Sequence, residues 1–290
     1  MNRKSDLINV LIATIVNILC ICEFSVSQLL INVKNQGGDV VQESIFSNIS
    51  DDAVTLEFQR SDGTLVTQLV DFRNEVQILR ALVLGEEERG QSQYQVLCFV
   101  TRLHQTDFIS ADAMSKLRQK NPGTVRTPEE DRGRDNYTLS AWIDPLRAGH
   151  PASPHVAALC SEARDATYAR EDDIRYWFER AGEGLPGDDW LPSGARRFPS
   201  AYFYAEAPLD NSIAEPAIAR LPRCADAKAA RAPCRCRLEV CVGWYPCGLK
   251  YCRGKSAGSG SSYRCGIKTC RKCSAYSYHA RQKQHCLWDE

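Results

Sequence analysis

Beyond residue 22 this chain has no apolar run approaching the roughly 20 residues a membrane-crossing helix needs. Its five histidines, His104, His150, His155, His279 and His285, stand in no metal-ligand or protease spacing. The Gly254-Lys255-Ser256 triplet lacks a preceding strand and a spaced glycine, which removes a phosphate-binding loop. Carboxylates cluster in Glu86-Glu87-Glu88, Glu129-Glu130-Asp131 and Glu171-Asp172-Asp173, but such runs read as solvated turns and helix surfaces. Paired catalytic acids would need apolar surroundings to separate their pKa values. These absences argue against an enzyme, a cofactor or a bound metal. Net charge is lacking too, with 36 Lys and Arg against 36 Asp and Glu.

What the chain has is cysteine. Ten of its 14 fall after residue 223, at Cys224, Cys234, Cys236, Cys241, Cys247, Cys252, Cys265, Cys270, Cys273 and Cys286. Between them lie mostly Gly, Ser, Tyr, Arg and Lys, so crosslinks are expected to stand in for a conventional core. Cys270-Arg271-Lys272-Cys273 has a spacing that zinc sites and thiol oxidoreductases share. Nothing around it alternates strand and helix, and density of this kind belongs to an oxidising compartment, so the prediction is disulfides with open connectivity.

The beginning of the chain agrees. Arg3 and Lys4 precede an apolar run from Leu7 to Cys22, and Ser25-Val26-Ser27 supplies small residues for cleavage, which predicts a secretory signal over 1–27 and a secreted, extracellular protein. Removal of Cys20 and Cys22 leaves an even number of cysteines. The sequons at Asn48 and Asn136 are then candidate glycan acceptors.

Residues 28–182 predict an α+β domain, strands first and helices after. Leu29, Ile31 and Val33 alternate before Gly37-Gly38, and Val54, Leu56 and Phe58 before Asp62-Gly63, as in two hairpins. Val76 to Leu84 is a third extended segment. Tyr94 to Leu103, apolar on both faces, predicts a central strand. Ser110 caps a short helix ended by Asn121-Pro122-Gly123, and Thr124 to Asp135 reads as a polar excursion. Ser153-Pro154 starts another helix, and Ile174, Trp177, Phe178 and Ala181 continue or restart it. Cys98 and Cys160 are the domain's only cysteines after cleavage and are expected to bond. Residues 183–222, with six prolines from Pro186 to Pro222, read as an extended linker, although Trp190, Phe198, Tyr202 and Phe203 are odd company for one.

Residues 223–290 form the cysteine-rich domain. From 221 to 290, fourteen cationic side chains oppose four acids, while 28–220 is acidic. A basic half suggests either an anionic partner or the acidic half itself. Arg264, Lys268, Arg271 and Lys272, interleaved with Tyr263, Tyr276 and Tyr278, are the candidate anion-binding group, with heparan sulfate favoured over nucleic acid in an exported protein.

Long runs carry a resemblance. Gly90-Gln-Ser-Gln-Tyr-Gln-Val-Leu-Cys-Phe-Val-Thr-Arg-Leu103, Lys116-Leu-Arg-Gln-Lys-Asn-Pro122, Arg170-Glu-Asp-Asp-Ile-Arg-Tyr-Trp-Phe178, Trp244-Tyr-Pro-Cys247 and Cys286-Leu-Trp-Asp-Glu290 resemble the Out at first family of secreted animal proteins. That resemblance implies a secreted developmental protein without an established molecular activity, and the sequons would make it a glycoprotein. The family pattern does not require cysteines at 241 and 273, which implies that these two pair with each other. Asp71 at a strand end, Cys98 in an apolar strand, a following helix and Cys160 resemble the BRICHOS pattern, implying a BRICHOS-like domain with Asp71 as a structural or pH-sensing carboxylate. Two functions follow as expectations. One is a non-enzymatic extracellular interaction or signalling factor with a protein or matrix partner; the other is an extracellular chaperone shielding aggregation-prone segments.

Overall fold

The computed structural model describes residues 27–34, 38–89, 91, 93–103, 107–183, 190–199, 221–253 and 262–288. The signal segment before residue 27, His104, Tyr202 and Phe203 lie outside the described residues.

Period-two apolar alternation builds an antiparallel meander of β1 (Ser27–Lys34), β2 (Val40–Asn48), β3 (Ala53–Gln59), β4 (Leu65–Asp71), β5 (Val76–Leu84) and β6 (Tyr94–Arg102). The tight β3–β4 turn uses Gly63 at φ +84°, where a side chain would be strained. Three short strands extend the β6 side: β10 (Thr167–Ala169), parallel to β6, then β9 (Ala141–Ile143) and β11 (Ala195–Arg197). At the opposite edge β7 (Val125–Arg126) lies parallel to β1. The ten strands run in the order β11-β9-β10-β6-β5-β4-β3-β2-β1-β7, which makes β6 internal, as its two apolar faces predict.

The two faces of this sheet bury different partners. Ile78, Val96, Cys98 and Val100 join a core with α2 (Pro154–Cys160) and α3 (Glu171–Arg180), through Val156, Ile174, Trp177 and Phe178. Leu79, Leu97 and Phe99 point the other way, into a core shared with a second sheet. That sheet is a long ribbon of β12 (Cys234–Arg253) and β13 (Ser262–Ala280), with β8 (Glu130–Thr138) paired parallel to β13. A five-residue helix, α1 (Ala111–Ser115), is capped by Ser110, whose side chain accepts from the Ala113 N–H.

The architecture corrects the α+β expectation. The protein is mostly β: its described α-helices span five, seven and ten residues beside thirteen strands. A BRICHOS-like sheet-plus-helices domain is therefore not the right description. The helical spacings at Ala111 and Val156 are real but short. The polar stretch after Thr124 contains β8, and the tail that looked too poor for a core holds the two longest strands.

The reason is visible in β12. Cys234, Cys236, Leu238, Val240 and Val242 are all buried on one face, so cysteines occupy core positions of an ordinary period-two pattern. Tyr276 and Tyr278 of β13 fill the same layer, with Tyr276 stacked on Phe99 at 4.7 Å and on Tyr137 at 5.2 Å. Crosslinks and an apolar interior coexist. Phe198 joins this inter-sheet core and Trp190 the helix-side core, so residues 190–199 of the anticipated linker are packed.

Six disulfides join the twelve cysteines after residue 27: Cys98–Cys160, Cys224–Cys234, Cys236–Cys286, Cys241–Cys273, Cys247–Cys270 and Cys252–Cys265. The first ties internal strand β6 to the end of α2 across 62 residues.

Candidate functional site

The sequence-designated cations do not form an open patch. Lys268 ion-pairs with Glu130, Arg271 with Asp131 at 2.6 Å, and Lys272 with both Asp107 and Asp135 at 2.6 Å. Arg264 reaches the Ala113 carbonyl at 3.5 Å. Lys250 adds a bond to Glu129 at 2.6 Å. The cause is the β8–β13 register, which sets Glu130 opposite Cys270 and Asp131 opposite Arg271. The Lys268 hydrogen bond holds Glu130 below the usual carboxylate range. For Asp131 the Gly133 N–H, followed by the Arg271 guanidinium, does the same. An acidic run that reads as solvated is the counter-charge of the basic tail.

Asp71 is fully buried at the end of β4. Its Oδ2 accepts the Ser153 hydroxyl at 2.6 Å and the Asn74 side-chain N–H at 2.7 Å, and its Oδ1 accepts the Asn74 backbone N–H at 2.9 Å. Ser153 in turn accepts from the His155 N–H, capping α2. The Asp71 carboxyl therefore anchors the helix that carries Cys160. Both sequon asparagines are exposed, Asn48 as the last residue of β2, where its Oδ1 accepts from Ser50 and Asp51, and Asn136 on strand β8.

A second buried carboxyl joins the two sheets. In β12 the register shifts between Val242 and Tyr245, which takes the N–H groups of Gly243 and Trp244 out of the β13 ladder. Glu43 of β2, 2 % exposed, accepts both, at 2.6 and 3.0 Å. Burial outweighs these two bonds and raises its pKa to about 7.

The open cationic site lies elsewhere. Where β9 and β11 of the large sheet meet the end of β13, a cleft of about 570 Å³ is lined by Trp142, Arg196, Arg197, Pro199, Arg231, Pro233, His279 and Arg281. Cross-strand pairing of Arg196 with Trp142 places one guanidinium 5.1 Å from the indole centre. Arg281 lies 5.5 Å from the same ring, within cation–π reach. Arg197 binds Glu171 at 2.8 Å, whereas no described carboxylate pairs with Arg196, Arg231 or Arg281. His279 packs edge-on to Trp142 at 5.2 Å. It is 3 % exposed, and neither ring nitrogen has a hydrogen-bond partner among the described residues. Burial, aided by Arg281, lowers its pKa to about 4, which keeps the imidazole neutral at physiological pH.

Sequence reasoning missed this cleft because its arginines are spread over 86 positions of the chain and belong to both charge halves. One motif spelling is set aside by its setting. Gly254-Lys255-Ser256-Ala257-Gly258 matches the Gly-x-Ser-x-Gly of a nucleophile elbow, but that chemistry needs a strand-to-helix turn, and this stretch connects two antiparallel strands. It lies outside the described residues. No helix among the described residues is long and apolar enough to cross a membrane.

Two family models match, "Out at first" over residues 27–177 and "Out at first, C-terminal" over residues 223–290. An Out at first protein of Drosophila virilis is 54 % identical over 284 residues, covering 94 % of this chain and 86 % of that protein. One of Drosophila melanogaster is 54 % identical over 278 residues, covering 92 % of this chain but 53 % of the relative. No solved structure matches.

Proposed function

The chain belongs to the Out at first family, and from that premise we propose that it is a secreted, N-glycosylated developmental factor that acts by binding an extracellular protein or matrix partner rather than by catalysis. The observation that carries this reading is the pairing of all twelve cysteines after residue 27 into six disulfides. Such a framework survives only where thiols stay oxidised. Exposure of Asn48 and Asn136 suits glycans at both sites. The shared inter-sheet core makes the binding unit the whole body, since the cysteine-rich ribbon and the first sheet bury each other.

Expression of the full chain in a secretory insect cell tests this. Expected results are recovery from the medium, a mass loss on N-glycosidase treatment that Asn48→Gln and Asn136→Gln each reduce, no maleimide-reactive thiol without reductant, and saturable binding to cultured cells. Retention in the cytosol with free thiols would overturn it. The chaperone reading would be favoured if the full-length protein suppressed fibril growth of a model client yet bound no cell surface saturably.

A further inference from the structure

We propose that the cleft between the β9–β11 edge and the end of β13 is an anion site for a sulfated glycosaminoglycan, with Arg196, Arg231 and Arg281 as its cations and Trp142, backed by His279, as its aromatic floor. It rests on the extracellular reading above only in that the chain meets such a polymer outside the cell.

Three observations carry it. The first is charge without compensation. Arg196 and Arg281 both approach one indole, and Arg231 lines the same space; no described carboxylate forms an ion pair with any of the three, although Arg281 also lines a neighbouring cleft with Asp165. Elsewhere the same chain pairs its basic ribbon closely, down to single residues such as Lys272 with two aspartates. Like charges gathered without a counter-charge repel, and an anion supplied from outside relieves that. Guanidinium is also the cation best matched to planar or tetrahedral oxyanions, through paired N–H donors.

The second is His279. A buried ring with two unpartnered nitrogens forgoes hydrogen bonds that water would have given it. Both nitrogens lie below the cleft surface, so the ring backs Trp142 and leaves contact with a ligand to the guanidinium groups. The base of the cleft is therefore a packed aromatic layer over which Arg196 and Arg281 are held.

The third is shape and source of the charge. The cleft is open, about 570 Å³, and its cations come from β11, from the segment before β12 and from the residue after β13. A polymer with charge repeated along its length engages such a row better than one compact anion does. The ten basic residues in excess over acids between 221 and 290 supply the surrounding positive field.

The test uses the full-length secreted protein and a heparin-derived dodecasaccharide, with its desulfated form and a polyglutamate peptide of equal charge as comparison probes. The variant Arg196→Ala/Arg231→Ala/Arg281→Ala should bind the dodecasaccharide at least about tenfold more weakly at physiological salt. Arg264→Ala/Lys268→Ala should bind as the unsubstituted protein does. Thermal melting checks that both variants fold. Should the triple variant fail to fold, the single variants Arg231→Ala and Arg281→Ala replace it, each expected to weaken binding at least about twofold. Equal binding of polyglutamate would overturn the assignment in favour of an acidic peptide partner. Undiminished dodecasaccharide binding by the cleft variants, or loss in Arg264→Ala/Lys268→Ala instead, would overturn the site. A protein that binds no dodecasaccharide but still saturates cell surfaces would refute this proposal and leave the interaction reading standing.

Discussion

Oε1 of Glu43 accepts the backbone N–H of Gly243 at 2.6 Å, so an inward carboxyl of the first sheet holds a bulge of the second. Burial raises its pKa from 4.5 to about 7. Between those values the folded chain retains a proton that the unfolded chain has released. The stability this carboxyl contributes is therefore complete below about pH 4.5 and is lost as pH rises through about 7, a swing of about 3 kcal/mol. Glu43→Gln cannot ionise. Melting temperatures taken from pH 5 to 8 should fall with rising pH more steeply for the parent than for the variant; parallel profiles would refute the assignment.

Gly243 admits no side chain for the same reason. A Cβ there would sit 2.7 Å from Val33 Cγ1 and 3.2 Å from Glu43 Oε1. Gly243→Ala should destabilise the protein by about 1–3 kcal/mol, read by denaturant unfolding, with no change in disulfide content.

Asp71 and Ser153 give a contrasting buried pair. Asp71→Ala strips partners from the Ser153 hydroxyl and both Asn74 N–H groups, and should cost about 3 kcal/mol or more. Ser153→Ala removes one bond to Asp71 and the α2 cap, and should cost about 1–3 kcal/mol. The order of these two losses in urea titrations is the check. If Asp71→Ala proves the milder change, the anchoring role assigned to Asp71 is wrong.

The disulfides should differ in weight. Replacing Cys98 and Cys160 by serine opens a loop worth about 4 kcal/mol in the chain-entropy model and puts hydroxyls at two fully buried positions. Cys252–Cys265 closes 13 residues near the ribbon tip and is worth about 3 kcal/mol by the same rule, with little burial to lose. The yield of folded protein from insect-cell expression should collapse for the first double variant and remain substantial for the second.

His279→Phe separates binding from packing. The phenyl ring keeps an aromatic against Trp142 while removing two unpartnered nitrogens, so the melting temperature should hold or rise. Heparin dodecasaccharide affinity should hold as well, because neither nitrogen reaches the cleft surface. Loss of affinity with the melting temperature intact would refute this packing role.

The sequence made the antiparallel meander legible because burial alternates there with apolar residues: Val96, Cys98 and Val100 on one face of β6, Leu97 and Phe99 on the other. The second sheet was hidden for two physical reasons. In β12 alternate core positions are cysteines, so counting crosslinks concealed a strand pattern that Cys234, Cys236, Leu238 and Val240 complete. In β8 the side chains are mostly charged and neutralised by β13, so the strand has no apolar signature before the partner is known. The same pairing neutralised Lys268, Arg271 and Lys272 of the anticipated basic group, whereas Arg264 stays exposed and reaches only the Ala113 carbonyl. The cleft at His279 draws on residues scattered from Trp142 to Arg281 and has no local signal at all.

The parallel union of β8 with β13 also sets a schedule for synthesis. More than a hundred residues separate these strands, so while the chain is still being synthesised the acidic strand and one whole face of the large sheet wait uncovered. A premature stop anywhere before the last ribbon strand should yield not a working half but a sticky precursor, the kind of product that cellular quality control removes.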